Sequence, residues 1–153
     1  MGKKVLVIED GHGRLKAYSL WLEEAGYEVT RAGGSLAALF ALARVEPDLV
    51  IGEPVMNNLA LTRELKAYQE TRRVPIVMIS AKDTPKSRAA AFKAGCDAYL
   101  PQYLSSDGFV AEIKRFLRDR RPKRLAGFVR AQSKSIEARR MKPESKTPNV
   151  LLL

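Results

Sequence analysis

The chain has 153 residues, 46% of them hydrophobic, which is enough to bury the core of one compact domain. Its single cysteine excludes an internal disulfide framework, and no apolar stretch approaches the roughly 20 residues that a transmembrane helix needs, so we expect a cytoplasmic protein. The formal net charge of +10 is concentrated at the carboxyl end, which favours an acidic partner for that part of the chain.

Short apolar runs alternate with segments of helical periodicity five times, which is the pattern of βα units around a parallel sheet. The first run covers residues 5–8 and leads into a helix that Gly26 ends. Residues 27–32 alternate in polarity and predict a second strand at the edge of the sheet. Ser35 is then predicted to cap a second helix. The inner face of that helix is predicted to carry Leu36, Leu39, Phe40 and Ala43.

A third apolar run at residues 49–51 leads into a third predicted helix. The fourth run, residues 75–80, is apolar almost throughout, as expected of a strand that helices cover on both faces. Thr84 and Pro85 predict the start of a fourth helix, because proline suits the first helical turn.

The fifth strand is predicted at residues 98–100, and Ser105 or Ser106 is predicted to cap the fifth helix. The inner face of this helix is predicted to carry Phe109, Ile113, Phe116 and Leu117. The sequence therefore predicts a domain of residues 1–120 and a basic carboxyl-terminal extension of residues 121–153, which is partly helical or disordered.

Five motifs, in this order and at this spacing, resemble the receiver domain of bacterial response regulators of the chemotaxis-regulator type. They lie at residues 5–10, 22–29, 47–51, 75–82 and 94–100. The resemblance implies an α/β, flavodoxin-like, doubly wound (βα)5 fold with a five-stranded parallel sheet in the order 2-1-3-4-5. It also implies two helices on one face of the sheet, three on the other, and a site at the carboxyl ends of the strands.

The resemblance assigns roles to Glu9, Asp10 and Ser80 at those strand ends and to Tyr99 in the fifth strand. Glu9 and Asp10 match the acidic pair that holds Mg²⁺, a cation that prefers oxygen ligands. Ser80 matches the hydroxyl residue that bonds the phosphoryl group, and Tyr99 matches the aromatic residue that turns inward when that hydroxyl moves. Together these residues imply the switch of a two-component phosphorelay.

Two positions depart from the family's pattern. Glu53 stands where the family has the aspartate that accepts the phosphoryl group, and Gln102 stands where it has the phosphate-binding lysine. The neighbours differ as well: Pro54 follows the glutamate directly, Asn57 replaces a usual proline, and Tyr103 replaces another. We therefore expect the loop after the third strand to take a different path.

The glutamate places its carboxylate one methylene further out than aspartate would, and in-line attack on phosphorus tolerates little displacement. The sequence therefore predicts a pseudo-receiver that is not usefully phosphorylated at Glu53. Three interpretations remain open. Either Glu53 imitates a phosphorylated aspartate and holds the domain in an active-like state, or the pocket is purely structural. A phosphorylatable receiver with an unusual acceptor is the third alternative.

The acidic pocket of Glu9, Asp10 and Glu53 leaves two further states open. Two carboxylates about 4 Å apart repel by roughly 4 kcal/mol at an effective dielectric near 20. Three of them therefore need a metal ion, a bound proton or separation by water. Either Mg²⁺ is retained or the cluster is free of metal and partly protonated.

The sequence contains no motif for enzymatic catalysis: it has no Gly-rich phosphate loop, no His or Cys metal cluster, and no nucleophile beside a base. The leading prediction is therefore a non-enzymatic signalling module that binds a protein partner. The resemblance implies that it does so through the face of helix four, strand five and helix five. Candidate residues on that face are Lys86, Arg88, Lys93, Tyr99, Tyr103 and Lys114.

The carboxyl-terminal extension suggests a second function. Residues 121–153 hold nine Lys or Arg against two Asp or Glu. The candidate residues for binding a protein or a nucleic acid are Arg118, Arg120, Arg121, Lys123 and Arg124. The alternative prediction is therefore a nucleic-acid-binding regulator with salt-dependent phosphate contacts. The extension is too short for a helix-turn-helix domain, and its only aromatic residue, Phe128, gives little support for base stacking.

Overall fold

The computed structural model describes residues 2–9, 13, 15–102 and 105–118. These residues form five parallel strands that alternate with five α-helices. The strands are β1 (Lys4–Ile8), β2 (Glu28–Ala32), β3 (Leu49–Gly52), β4 (Ile76–Ser80) and β5 (Ala98–Pro101). The helices are α1 (Lys16–Glu24), α2 (Ser35–Val45), α3 (Met56–Ala67), α4 (Pro85–Ala94) and α5 (Ser106–Arg118). The strand order is 2-1-3-4-5, which confirms the predicted fold class.

Both faces of the central strands are buried, because successive side chains point to opposite sides of the sheet. Val5 and Val7 of β1 belong to the core that α1 and α5 cover. Leu6 and Ile8 belong to the core that α2, α3 and α4 cover. The sheet therefore separates two cores, with two helices on one face and three on the other.

Glycine and proline set the ends of two helices. Gly26 follows α1 with φ +98°, and Gly95 ends α4 with φ +110°, a backbone region that favours glycine. Thr84 accepts a hydrogen bond from the Ser87 N–H at 3.1 Å, and Pro85 follows it in the first turn of α4. The predicted start of the fourth helix is confirmed. Among the helices that the structure describes, none is both long and apolar enough to cross a membrane.

The start of α5 depends on Ser105. The Ser105 Oγ accepts a hydrogen bond from the Gly108 N–H at 3.2 Å, and the Ser105 carbonyl accepts one from the Phe109 N–H at 2.8 Å. Of the two predicted capping residues, the structure therefore selects Ser105, and Ser106 is the first helical residue. The predicted inner face of α5 is confirmed, since Phe109, Ile113, Phe116 and Leu117 are all buried.

Two predictions for α2 are wrong. Gly34 occupies the N-cap position, and Ser35 is the first residue of the helix. Leu36 and Phe40 do not face the core, since they are 47% and 63% exposed. Every residue from 36 to 43 is apolar, so spacing alone does not identify the inner side of this helix. The buried residues of this helix are Ser35, Ala38, Leu39, Ala41 and Leu42, so Leu39 is the predicted inner-face residue that is buried.

A charged cluster connects α3 to β4 and to the turn before β5, at the amino-terminal edge of the sheet. The Lys66 Nζ donates to the Asp97 Oδ2 at 2.7 Å, to the Val74 carbonyl at 2.9 Å and to the Arg72 carbonyl at 3.0 Å. The same Asp97 oxygen accepts from the Ile76 N–H at 2.8 Å. We refer to these groups as the Lys66–Asp97 cluster. Its contacts join the end of α3 to the start of β4 and to the turn before β5.

Candidate functional site

Glu53 and Ser80 lie side by side because the carboxyl ends of β3 and β4 meet at one edge of the parallel sheet. Glu53 directly follows β3, Ser80 ends β4, and each residue is 5% exposed. They line a groove of about 210 Å³, which we call the Glu53 pocket. The residues that line it are Glu53, Pro54, Val55, Ser80, Ala81, Lys82 and Ser87.

The loop after β3 holds the Glu53 backbone firmly. The Glu53 carbonyl accepts from the Val55 N–H at 2.8 Å, a tight turn around Pro54, and from the Asn58 Nδ2 at 2.9 Å. Asn58 is 4% exposed and packs close to Gly52, where an added Cβ would lie 3.1 Å from the Asn58 Nδ2. The backbone of Glu53 is therefore fixed by its own loop.

The two predicted switch residues converge on one backbone oxygen. The Ser80 hydroxyl donates to the Lys82 carbonyl at 2.8 Å and accepts from the Lys82 N–H at 3.0 Å. The Tyr99 hydroxyl donates to the same carbonyl at 3.0 Å and lies 2.9 Å from the Ser87 Oγ. Ser80 and Tyr99 are therefore linked through the loop between β4 and α4.

Tyr99 also connects this loop to the surface of α4. The Arg88 guanidinium carbon lies 5.5 Å from the centroid of the Tyr99 ring, and Arg88 forms an ion pair with Asp83. The Phe92 ring centroid lies 6.5 Å from that of Tyr99, and Phe92 is 47% exposed. The side chains around Tyr99 thus lead from the Glu53 pocket to an exposed part of α4.

Gln102 lies just beyond β5 and is tied to two neighbouring elements through its backbone. Its N–H donates to the Ser80 carbonyl at 3.2 Å, and its carbonyl accepts from the Tyr18 hydroxyl. Burial is the first cause that raises the pKa of Tyr18 above its ordinary value of 10.0, and the nearby Glu53 carboxylate is the second. Tyr18 therefore lies within electrostatic reach of the Glu53 pocket.

Sequence reasoning placed Tyr18 only on the apolar stripe of the first helix. The structure shows that it is 2% exposed and that its hydroxyl is used in a hydrogen bond. A tyrosine at a core position usually needs a polar partner for its hydroxyl. The sequence could therefore have predicted that the Tyr18 hydroxyl forms a hydrogen bond. The identity of the partner depends on the path of the chain after β5.

The described residues do not form a complete metal site. Glu9 is half-buried after β1, and its N–H donates to the Ala32 carbonyl at 2.8 Å. Within residues 2–9, 13, 15–102 and 105–118, no group of three or more His, Cys, Asp or Glu side chains could hold a metal ion. Glu9 and Glu53 offer the oxygen ligands that Mg²⁺ prefers, but the described acids alone do not fit a complete Mg²⁺ site.

The remaining predicted site residues lie at the end of the described chain or outside it. Arg118 is the last residue of α5 and is exposed. The positions outside the described residues are Asp10, Tyr103, Arg120, Arg121, Lys123 and Arg124. Their predicted roles are not tested by the geometry.

Comparisons with known proteins agree with this fold. The family model of the response regulator receiver domain matches residues 5–114. The polar-differentiation response regulator DivK of Brucella ovis is 30% identical over 122 residues, which cover 78% of this chain and 99% of that protein. A response regulator from Chloroflexus aurantiacus J-10-fl has a TM-score of 0.71 and 26% identity, covering 77% of this chain and 99% of its own.

A third relative is known with a metal ion. The receiver domain of a sensor histidine kinase from Pseudomonas aeruginosa PAO1 was solved with magnesium coordinated in its active-site cleft. Its TM-score is 0.69 at 24% identity, covering 78% of this chain and 100% of its own, so the similarity concerns the fold. On the family match and the shared fold, the chain belongs to the response regulator receiver domains of two-component signalling.

Proposed function

We propose that this chain is a pseudo-receiver, a non-enzymatic cytoplasmic signalling domain that works without phosphorylation of Glu53 and acts by binding a protein partner. The observation that supports this proposal most directly is the residue at the phosphoacceptor position. It is a glutamate, it is 5% exposed, and its backbone is held by hydrogen bonds from Val55 and Asn58.

The fixed backbone supports the proposal because phosphoryl transfer depends on alignment. A carboxylate oxygen must lie in line with the phosphorus of the donor, and small displacements cost much of the rate. The extra methylene of Glu53 moves that oxygen outward. A compensating shift of the backbone would break the hydrogen bonds to Val55 and Asn58.

The replacement of the lysine supports the same conclusion. Gln102 has a neutral side chain, so it supplies no positive charge for a transferred phosphoryl group. Lys82 lines the pocket and is the remaining cation among the described residues that line it. It comes from the loop after β4 rather than from the end of β5, so it does not reproduce the family's arrangement.

A structural pocket is favoured over an imitation of the phosphorylated state. A carboxylate carries one negative charge, whereas a phosphoryl group carries about 1.5 to 2. The Ser80 hydroxyl, which would turn toward a phosphoryl group, donates its proton to the Lys82 carbonyl instead. This hydrogen bond holds the Ser80 hydroxyl to the loop after β4, which supports a structural pocket.

The exposed surface of α4 supports a protein partner. Asp83, Pro85, Arg88, Ala89 and Phe92 line a groove of about 450 Å³ there. The exposed cations of α4 are Lys86, Arg88 and Lys93, and Lys114 is exposed on α5. An exposed aromatic ring on a helix that also carries exposed cations suits a partner that offers an apolar anchor and acidic residues. Mg²⁺ binding and nucleic-acid binding by the basic extension remain predictions.

The proposal is tested by the intact mass of the full chain after incubation with a small phosphodonor and Mg²⁺. We expect the wild-type mass to remain unchanged, while a typical receiver domain in the same reaction gains a phosphoryl group. The variant Glu53→Asp with Gln102→Lys restores the family's two groups, and we expect it to gain one. An acid-labile phosphoryl group on the wild-type chain would overturn the proposal.

A further inference from the structure

A narrow groove of about 190 Å³ lies between α1 and α5, on the side of the sheet away from α4. The described residues that line it are Trp21, Glu24, Ala25, Ser106, Asp107 and Val110. Glu24 and Asp107 are both exposed. The groove therefore combines an indole ring with two accessible carboxylates.

The aromatic side of the groove is held in place by its neighbours. The Trp21 ring lies 5.2 Å from the Tyr18 ring and 6.1 Å from the Phe109 ring, measured between centroids. Tyr18 and Phe109 are buried, so they fix the position of the indole. None of the described lining residues is a cation. Carboxylates beside an indole are favourable partners for a guanidinium group.

The segment that fits this groove begins where α5 ends. Residues 119–124 contain four Lys or Arg and one Asp. Asp107 lies eleven residues before Arg118, which is about 17 Å along the helix. Six residues in extended conformation span about 20 Å. Residues 119–124 are therefore long enough to run back along α5 and reach the groove.

We propose that residues 119–124 fold back along α5 and bind the groove between α1 and α5 through contacts of their arginines with Glu24, Asp107 and Trp21. The linked segment is present at a high effective concentration, which favours it over a separate basic peptide of similar composition. Once bound, its cations are shielded from other acidic partners such as nucleic acid. This inference does not depend on the chemistry of Glu53.

The fluorescence of Trp21 reports on access to the groove, because Trp21 is the only tryptophan in the chain and lines the groove. We would measure quenching of its fluorescence by acrylamide, a neutral quencher that the charge of the chain does not attract. The proximal variant removes four charges near the groove, with Arg120→Gln, Arg121→Gln, Lys123→Gln and Arg124→Gln. The distal variant removes four further along, with Arg130→Gln, Lys134→Gln, Arg139→Gln and Arg140→Gln.

We expect the proximal variant to have a larger Stern–Volmer constant than the wild-type chain, and the distal variant to match the wild type. High salt should raise the wild-type constant toward that of the proximal variant, because it screens exposed charges. A proximal variant that matches the wild type, or a distal variant that shows the same increase, would overturn the proposal.

The carboxylates give the reciprocal test. The groove variant, Glu24→Gln with Asp107→Asn, should show the same increase in quenching as the proximal variant. Combining both sets of changes should add nothing further, since either set already releases the segment. An additive increase would mean that the two act independently and would refute the contact. Glu70→Gln, at an exposed glutamate outside the groove, is the control for loss of an acidic charge.

Discussion

Two polar sites lie at opposite edges of the same sheet, and their buried charged groups are paired in different ways. At the amino-terminal edge, Lys66 donates to three acceptors, and Asp97 accepts from Lys66 and from the Ile76 N–H. At the carboxyl-terminal edge, Glu53 is more deeply buried, and the residue that the resemblance matches to the family's lysine is the neutral Gln102. The first site contains an ion pair, and Lys82 is the cation among the described residues that line the second.

The difference shows why burial of charge alone does not identify a working site. A buried charge is compatible with a stable fold where an opposite charge and hydrogen bonds offset its desolvation. The Lys66–Asp97 cluster meets that condition and joins three segments, which is the behaviour of a structural ion pair. The resemblance assigns the Glu53 pocket to the family's phosphoryl-transfer site, and our proposal is that it lacks the fixed cation which that chemistry uses.

The largest effect should come from breaking the ion pair at the amino-terminal edge. Lys66→Ala leaves Asp97 largely buried without its cation and removes the donor to two backbone carbonyls. We expect a loss of about 3 kcal/mol in the free energy of unfolding, measured by urea denaturation at pH 7. Lys93→Ala, at an exposed lysine of α4, should change it by less than about 0.5 kcal/mol. Equal losses for the two variants would show that the cluster is not structural.

The next effect concerns a thiol beside the same cluster. The pKa of Cys96 is raised from 9.0 to about 11, chiefly by burial and then by the Asp97 carboxylate, while Lys66 and a backbone hydrogen bond at Ala98 oppose the rise. The folded chain therefore keeps a proton that the unfolded chain loses between pH 9 and pH 11. This stabilising contribution is fully present below pH 9 and is lost as the pH rises through 11.

Replacing the thiol should flatten this pH dependence. Between pH 9 and pH 11, Cys96→Ala should lose less stability than the wild-type chain, by on the order of 2 kcal/mol. The measurement is a series of urea denaturations across that range. Tyr18 and Tyr27, whose pKa values burial also raises, are present in both proteins and do not affect the difference. Parallel stability curves for the two proteins would contradict the role of the thiol.

The smallest effect should come from the loop that supports Glu53. Asn58→Ala removes the hydrogen bond to the Glu53 carbonyl, and we expect a loss of about 1 to 2 kcal/mol in the free energy of unfolding. The adjacent Asn57 is exposed and offers a matched control, since Asn57→Ala should change stability by less than about 0.5 kcal/mol. If thermal and urea denaturation did not separate the two variants, the Asn58 contact would not support the pocket.

The sequence was most informative where apolar and polar residues alternate clearly. The stripe of α5 identified its buried face, because the residues between its apolar positions are mostly polar. The helix α2 offered no such contrast, and Leu36 and Phe40 were assigned to the wrong side. The difference lies in the composition of the two helices, since periodicity identifies a face only when the opposite face is polar.

The sequence predicted which residues lie at the strand ends of the candidate site. It did not predict the hydrogen bonds that hold the neighbouring backbone. The resemblance placed Glu53 and Ser80 at one edge of the sheet, and the structure brings them into one groove. It did not predict that Asn58 holds the Glu53 backbone or that Tyr18 bonds the Gln102 carbonyl. Those contacts depend on how loops and helices pack against one another in three dimensions. They cannot be predicted from the local sequence around each residue.

The Lys82 carbonyl, which accepts from both Ser80 and Tyr99, is part of the main chain. Changing the side chain at position 82 therefore leaves this acceptor in place. Inserting one residue between Ala81 and Lys82 would displace the carbonyl by about 3.8 Å, which is more than a hydrogen bond tolerates. The link between the two hydroxyls therefore tolerates a change of side chain at position 82 but not a change in the length of the loop. The number of residues in this loop is thus as important to the link as their identity.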